Sequence, residues 1–212
     1  MKTLIVTGGS VDISYIKSFM KSHTYDYIIG VDKGLEYLYE LELIPNLIIG
    51  DFDSANKQVI EYYKNSKVEF KNFISEKDET DTHLAILEAI NVESIEIDII
   101  GGIGSRIDHT LANIHILMIP LKENINCRLI NKNNIIRLVD SNISIKKNEY
   151  KYISLIPLTS QVVGITTDGL KYELNDYNMN KGISIGISNE LIQNVAHITI
   201  REGILIVINS RD

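Results

Sequence analysis

Short apolar runs alternate with amphipathic stretches of about ten residues over the first two-thirds of this chain, and that alternation restricts the fold more than any other feature. Leu4–Thr7, Tyr27–Val31, Leu47–Ile49, Ile95–Ile100 and Arg128–Ile130 read as strands. Between them Val11–Lys21, with Ile13, Ile16 and Met20 at helical spacing, reads as a helix. So do Gly34–Leu43, stopped before Pro45, and Ala55–Lys64, with Ser54 as its N-cap. Thr82–Ile90 and Leu111–Ile119, ending at Pro120, complete the helices. Strands separated by helices need crossover connections, so the pattern predicts βαβ units and a mostly parallel sheet.

After about Asn131 the helical period fades. Ile135–Val139, Ile143–Lys146, Tyr152–Pro157, Val162–Thr166, Leu170–Tyr172, Ile183–Ile187, His197–Arg201 and Leu205–Ile208 are short β-branched runs. Turns such as Thr167-Asp168-Gly169 punctuate them, which predicts a small antiparallel sandwich or barrel. The change of pattern divides the chain into residues 1–131 and 132–212.

The chain has 212 residues, 44% of them apolar, enough to fill a real core. Its formal charge of −7 argues against a nucleic-acid or anionic-membrane surface. A polyanionic substrate would have to arrive with a cation. The single cysteine, Cys127, allows no disulfide within the chain and no thiolate metal site, and reads as a small buried hydrophobe. The first apolar run is too short for a signal peptide and no stretch could span a bilayer, so a cytoplasmic protein is expected.

The chemistry is carried by aspartates placed where strands should end: Asp32, Asp51, Asp53, Asp78, Asp81 and Asp108. Gly50-Asp51-Phe52-Asp53-Ser54 directly follows the run Leu47–Ile49. In an open parallel sheet ligands bind beyond the carboxyl ends of the strands. Carboxylates gathered there repel unless a cation sits among them, and oxygen donors suit a hard divalent ion such as Mg2+ bridging to phosphate. Asp51 and Asp53 are therefore metal-ligand candidates, and Ser54 is a candidate for capping beside phosphate-binding N–H groups. An Asp-X-Asp alone fits a solvated turn better than a site; the glycine and the neighbouring acidic clusters reverse that balance in favour of a site. In Glu76-Lys77-Asp78-Glu79-Thr80-Asp81-Thr82 the acids suit a helix start. Asp81 is a further ligand candidate, and Lys77 is the cation of that loop.

Gly101-Gly102-Ile103-Gly104-Ser105-Arg106-Ile107-Asp108-His109-Thr110 follows another strand. Gly-rich loops of this kind cradle phosphate with backbone N–H groups. It has neither the Walker A ending nor the dinucleotide spacing. Arg106 has the fork for a bidentate phosphate contact, and His109 is either an acid–base group or a capping residue.

Together Gly50–Ser54, Lys77–Asp81 and Gly104–Asn113 resemble, in order and spacing, the bacterial thiamine pyrophosphokinases. Gly30-Val31-Asp32-Lys33-Gly34 looks like the acidic glycine turn of that family, and Gly164–Tyr172 and Gly186–Glu190 look like its C-terminal signatures. The resemblance implies an N-terminal, mostly parallel αβα (Rossmann-like) domain for ATP and a C-terminal antiparallel β-sandwich for thiamine. It implies pyrophosphoryl transfer from Mg-ATP to the thiamine hydroxyl, giving thiamine diphosphate and AMP, by a homodimer with thiamine bound between subunits. Carried over, Asp51, Asp53 and Asp81 look like the magnesium cluster, and Lys77, Thr80 and Arg106 like nucleotide contacts. Asp32 and Asp108 look like polar members of the cleft, with Asp108 a candidate proton acceptor. Ser188, Asn189 and Glu190 look like thiamine-side residues. Some members of that family place a tryptophan near the thiamine rings and this chain has none; Tyr150, Tyr152, Tyr172, Tyr177 and Glu190 are the candidates to face the thiamine cation instead, although each tyrosine alone reads more readily as strand-surface packing.

Other readings stand beside this one. Asp51-Phe52-Asp53-Ser54 mimics the nucleophile motif of haloacid-dehalogenase-like phosphatases, with Asp51 as nucleophile, although it follows the third strand rather than the first. A non-catalytic nucleotide sensor would keep the cleft and lack the transfer.

Overall fold

The computed structural model describes residues 1–51, 55–71 and 79–212. The chain divides into two compact units, Met1–Lys132 and Asn133–Asp212.

The first unit holds strands β1 (Lys2–Val6), β2 (Tyr27–Val31), β3 (Leu47–Ile49), β4 (Glu69–Lys71), β5 (Glu96–Ile100) and β6 (Asn126–Ile130). They form a parallel array in the order β6-β5-β1-β2-β3-β4. Strands of a parallel sheet are covered by their crossover helices, which is why β3 is buried throughout and reads as an unbroken apolar run. The helices are α1 (Ile13–Met20), α2 (Gly34–Glu40), α3 (Lys57–Asn65), α4 (Asp81–Asn91), α5 (Ile107–Ile116) and α6 (Met118–Lys122). Ile16 of α1, Leu35 and Leu38 of α2, and Val59 and Tyr63 of α3 share one core with Leu4, Val6, Ile48 and Ile100.

Three local expectations need correction. Ser54 lies outside the described residues, and the N-cap of α3 is Asn56, whose side chain accepts from the Gln58 N–H at 2.9 Å. The helix expected from Leu111 begins at Ile107, and Pro120 lies inside the short α6 rather than ending a helix. Pro120 is tolerated because it sits in the first turn, where its missing N–H has no intrahelical partner to lose.

The second unit contains two antiparallel sheets. One has the order β12-β9-β14-β7, built from β7 (Asn134–Val139), β9 (Tyr152–Pro157), β12 (Asn189–Glu190) and β14 (Leu205–Ser210). The other has the order β11-β10-β13-β8, built from β8 (Asn142–Lys146), β10 (Gln161–Asp168), β11 (Tyr177–Asn180) and β13 (Val195–Thr199). Ile153, Leu155, Leu205 and Val207 from the first sheet meet Val162, Ile165, Ala196 and Ile198 from the second in one core. The expected strand Ile183–Ile187 does not form: the segment lies outside the strands, with Ile183, Ile185 and Ile187 exposed.

Candidate active site

In the first unit the chain lays β1 to β4 outward in one direction and then returns to place β5 and β6 on the other side of β1. The loops after β1 and β5 therefore diverge at a switch point, where open parallel sheets form their ligand crevice. A cleft of about 700 Å³ opens there. Its lining comes from residues 7–10 after β1, Asp32, Lys33 and Tyr37 after β2, Thr80–Thr82 at the start of α4, and Gly101, Gly102 and residues 104–106 of the loop after β5, with His109 and Asn113 of α5.

The two loops interlock through glycine. The Gly9 N–H donates to the Gly101 carbonyl at 3.0 Å, and the Thr7 N–H donates to the Ile100 carbonyl at 2.9 Å. A Cβ on Gly9 would strike the Gly101 carbonyl, and one on Gly101 would strike that of Thr7. Gly101 also has φ +79°, a left-handed conformation that glycine adopts without a steric penalty. From α5 the buried Asn113 amide donates to the Gly102 carbonyl at 2.8 Å, and the Thr110 hydroxyl accepts from the Gly104 N–H at 3.2 Å. Across the cleft floor the Thr7 and Thr82 hydroxyls lie 3.3 Å apart, and Thr7 accepts from the Gly8 N–H at 2.8 Å.

Asp32 leaves β2 with φ +46°, and its N–H donates to the Ile49 carbonyl at 3.0 Å, tying the ends of β2 and β3 together. Asp81 is the first residue of α4, where the helix dipole favours a carboxylate. The Thr80 hydroxyl accepts from the His83 N–H at 3.3 Å as the N-cap of that helix. Arg106 grips Asp108 with two donors, at 2.6 and 3.3 Å. The hydrogen bond from Arg106 holds the Asp108 carboxyl down at about 2, and the same contact raises the guanidinium above its ordinary value.

Of the expected residues, the cleft brings together Asp32, Thr80, Asp81, Arg106 and His109. Asp51 follows Gly50 at the end of β3 and Asp108 points its charge at Arg106; neither is among the described lining residues. Asp53, Ser54, Lys77 and Asp78 lie outside the described residues. Sequence reasoning assigned no role to Thr7–Ser10, Lys33, Tyr37, Thr82 or Asn113. Gly8-Gly9 after the first strand was the available signal.

On the second unit Asn189 is buried and spent on backbone: its side chain accepts from the Tyr172 N–H at 3.0 Å and donates to the Tyr172 carbonyl at 2.7 Å. Ser188 has φ +57° and donates its N–H to Ser154 Oγ at 3.0 Å. Glu190 lies 3.6 Å from Lys171 and 3.9 Å from Lys151. Tyr150 is buried and Tyr177 packs on the core, whereas Tyr172 is 64% exposed.

Comparison with known proteins places this geometry. A model of the thiamin pyrophosphokinase catalytic domain matches residues 19–129, and one of the thiamin pyrophosphokinase vitamin B1 binding domain matches residues 140–205. The chain belongs to the thiamine pyrophosphokinase family. A thiamine pyrophosphokinase of Bacillus subtilis is 38% identical with both chains covered in full. The crystal structure of a thiamine pyrophosphokinase from Bacillus subtilis superposes with a TM-score of 0.91 at 34% identity, and covers 100% of each chain. A thiamin pyrophosphokinase from Geobacillus thermodenitrificans superposes at 0.87 with 28% identity, covering 100% of this chain and 98% of the other. Family membership makes the chain an enzyme of the diphosphokinase class, and it leaves the phosphatase and sensor readings without support.

Proposed function

We propose that the cleft of the first unit binds ATP with a divalent cation, Mg2+ in the simplest case, and transfers its terminal pyrophosphoryl group to thiamine. The observation that carries this reading is the pair of interlocked glycine loops at the switch point, facing Asp32, Asp81 and Arg106 in one cleft. Carboxylates for a hard cation and a guanidinium for phosphate, gathered in one cleft that the glycine loops shape, are the groups that a metal-bound polyphosphate requires.

In the transfer, the thiamine hydroxyl oxygen bonds to the β-phosphorus as the bond from that phosphorus to the α–β bridging oxygen breaks. AMP leaves with the bridging oxygen, and the alcohol proton passes to a base. Most of the catalysis is positioning and charge neutralisation. Asp32 and Asp81 offer hard oxygen donors in the cleft, which fits a cation of this type; Asp51 at the end of β3, and Asp53 on the strength of its motif alone, are assigned with Asp81 to hold it. A bound cation would neutralise phosphate charge. Arg106, steadied by Asp108, together with Thr80, Lys77 and the glycine loops, orients the phosphates; His109, which lines the cleft, serves as a nucleotide contact. A carboxyl held at about 2 is a weak base, so Asp108 serves better as the partner that aims Arg106.

The first unit is read as a Rossmann-like αβα ATP domain, and the second as a β-sandwich supplying the thiamine side through Ser188, Glu190 and the Asn189–Tyr172 clamp. A homodimer with thiamine at the subunit interface is supported by the exposure of Ile183, Ile185, Ile187 and Ile192 in the second unit, large apolar side chains that a partner could cover. Among the described residues no helix is long and apolar enough to cross a membrane, and a cytoplasmic location is part of this reading. The deciding experiment is a coupled assay: AMP should form from ATP and magnesium only when thiamine is present. AMP or phosphate release without thiamine would overturn the assignment.

A further inference from the structure

We infer that Lys33 is a phosphate-binding residue of the cleft, gripping the polyphosphate from the β2 side. The inference rests on the reading of the cleft as an ATP site. β2 and β5 lie on the two sides of β1, so Lys33 and Arg106 flank the β1 loop from opposite directions. Both line the cleft. Their circumstances differ. Arg106 is committed to Asp108 by two hydrogen bonds. Among the described residues no ion pair involves Lys33, and its side chain is exposed at the cleft wall. An ammonium on a flexible stem of this kind can turn toward an incoming phosphate without first breaking a salt bridge.

Gly8 gives the lysine its room. A Cβ on Gly8 would lie 3.1 Å from Lys33 Cβ, closer than an ordinary contact, and Gly8 has no positive φ that would explain glycine by itself. The glycine thus keeps the first loop and the root of the lysine side chain in close approach. Charge supplies the need. The described lining carries the carboxylates of Asp32 and Asp81, in a chain of net charge −7, and a triphosphate adds several more negative charges. A second cation opposite Arg106 would offset charge that one divalent ion leaves uncompensated.

The test compares wild type, Lys33→Met and Lys33→Arg by titration calorimetry, using ATP with magnesium and, separately, adenosine. Lys33→Met should weaken ATP binding about tenfold or more, the scale of one charge-assisted contact. Lys33→Arg should retain most of the affinity. Adenosine binding and the melting temperature should be unchanged in both variants, because neither depends on a phosphate grip. ATP affinity in Lys33→Met equal to wild type, in an enzyme that binds ATP and forms AMP with thiamine, would overturn this assignment alone. An equal loss for ATP and adenosine would also overturn it, since the lysine would then be shaping the cleft. A wild-type protein that binds no ATP would overturn the functional reading and this inference with it.

Discussion

The carboxylate of Asp32 fills the space beside Gly50 in which any other residue would carry its Cβ. Gly50 has φ +146° and Asp32 has φ +46°, so two adjacent strand ends are held in sparsely populated conformations. Such strain persists only where the surroundings enforce it, and here Asp32 lines the cleft while Gly50 directly precedes Asp51, a candidate metal ligand. Gly50→Ala should cost about 1–3 kcal/mol of stability from backbone strain alone, and should lower activity further by pushing Asp32 out of the cleft. A melting temperature and a turnover number both equal to wild type would show that the packing relaxes freely.

Asp108 provides a prediction about pH. Its carboxyl lies near 2 instead of the ordinary 3.8 because Arg106 donates hydrogen bonds to it. A depressed carboxyl stabilises the fold above its unfolded value, and that contribution disappears as pH falls through the folded value. The Arg106–Asp108 pair is therefore intact throughout the neutral range. Asp108→Asn should lower kcat about tenfold by loosening Arg106, without altering the shape of the pH–rate profile between about pH 5 and 9. Disappearance of an acid limb in the variant would make Asp108 the proton acceptor after all.

Stability depends on a second charged group, carried by β5 and β6. Arg128 on β6 donates to Asp98 at 2.6 and 2.7 Å and to Glu96 at 2.6 Å, and Tyr25 donates to Asp98 at 2.7 Å. Asp98 is 1% exposed. Burial opposes the Arg128 charge, but the hydrogen bonds and carboxylates outweigh it and raise the guanidinium above its usual value. Removing one member of a buried pair leaves the other uncompensated, so Arg128→Met should destabilise by about 3–5 kcal/mol. Tyr25→Phe, which removes one hydrogen bond, should cost about 1–2 kcal/mol. Urea unfolding of both variants checks the order, and a larger loss for Tyr25→Phe would refute it.

Asp53→Asn tests the metal cluster on a residue known here only from its motif. Removing an anionic ligand should reduce turnover by about two orders of magnitude, the scale of losing one major electrostatic group. Near-normal activity at limiting magnesium would exclude Asp53 as a ligand.

Much of this was legible in the chain. Tyr27–Val31, Leu47–Ile49 and Tyr152–Pro157 have the bounds expected, because their apolar runs sit between strong turn residues. β4 was missed because Glu69-Phe70-Lys71 is a short edge strand with no apolar run to mark it. Ile183–Ile187 was misread because alternating isoleucines imitate a strand face, whereas the structure leaves them exposed outside any strand. Asp32, Asp81 and Arg106 declared themselves as charged residues at strand and helix ends. The approach of Gly9 to Gly101 did not, since it joins residues far apart in sequence that have no side chain to suggest chemistry.

The same exposed isoleucines motivate the last prediction, that the active unit is a homodimer whose acceptor site draws on both subunits. The described residues that line the cleft all precede residue 114, whereas Ser188 and Glu190 belong to the second unit. On the proposed reading thiamine meets the phosphate chain at one end and these second-unit residues at the other. Ile183, Ile185, Ile187 and Ile192 are each more than 40% exposed, and a symmetric partner could cover such apolar side chains. An Asp53→Asn chain and a Ser188→Ala, Glu190→Ala chain should each be inactive as homodimers. Mixed in one dimer, they should restore one intact site and about half of full activity, provided the sites act independently. Verified heterodimers with no activity, or a monomer active at assay concentration, would show that each chain completes its own site.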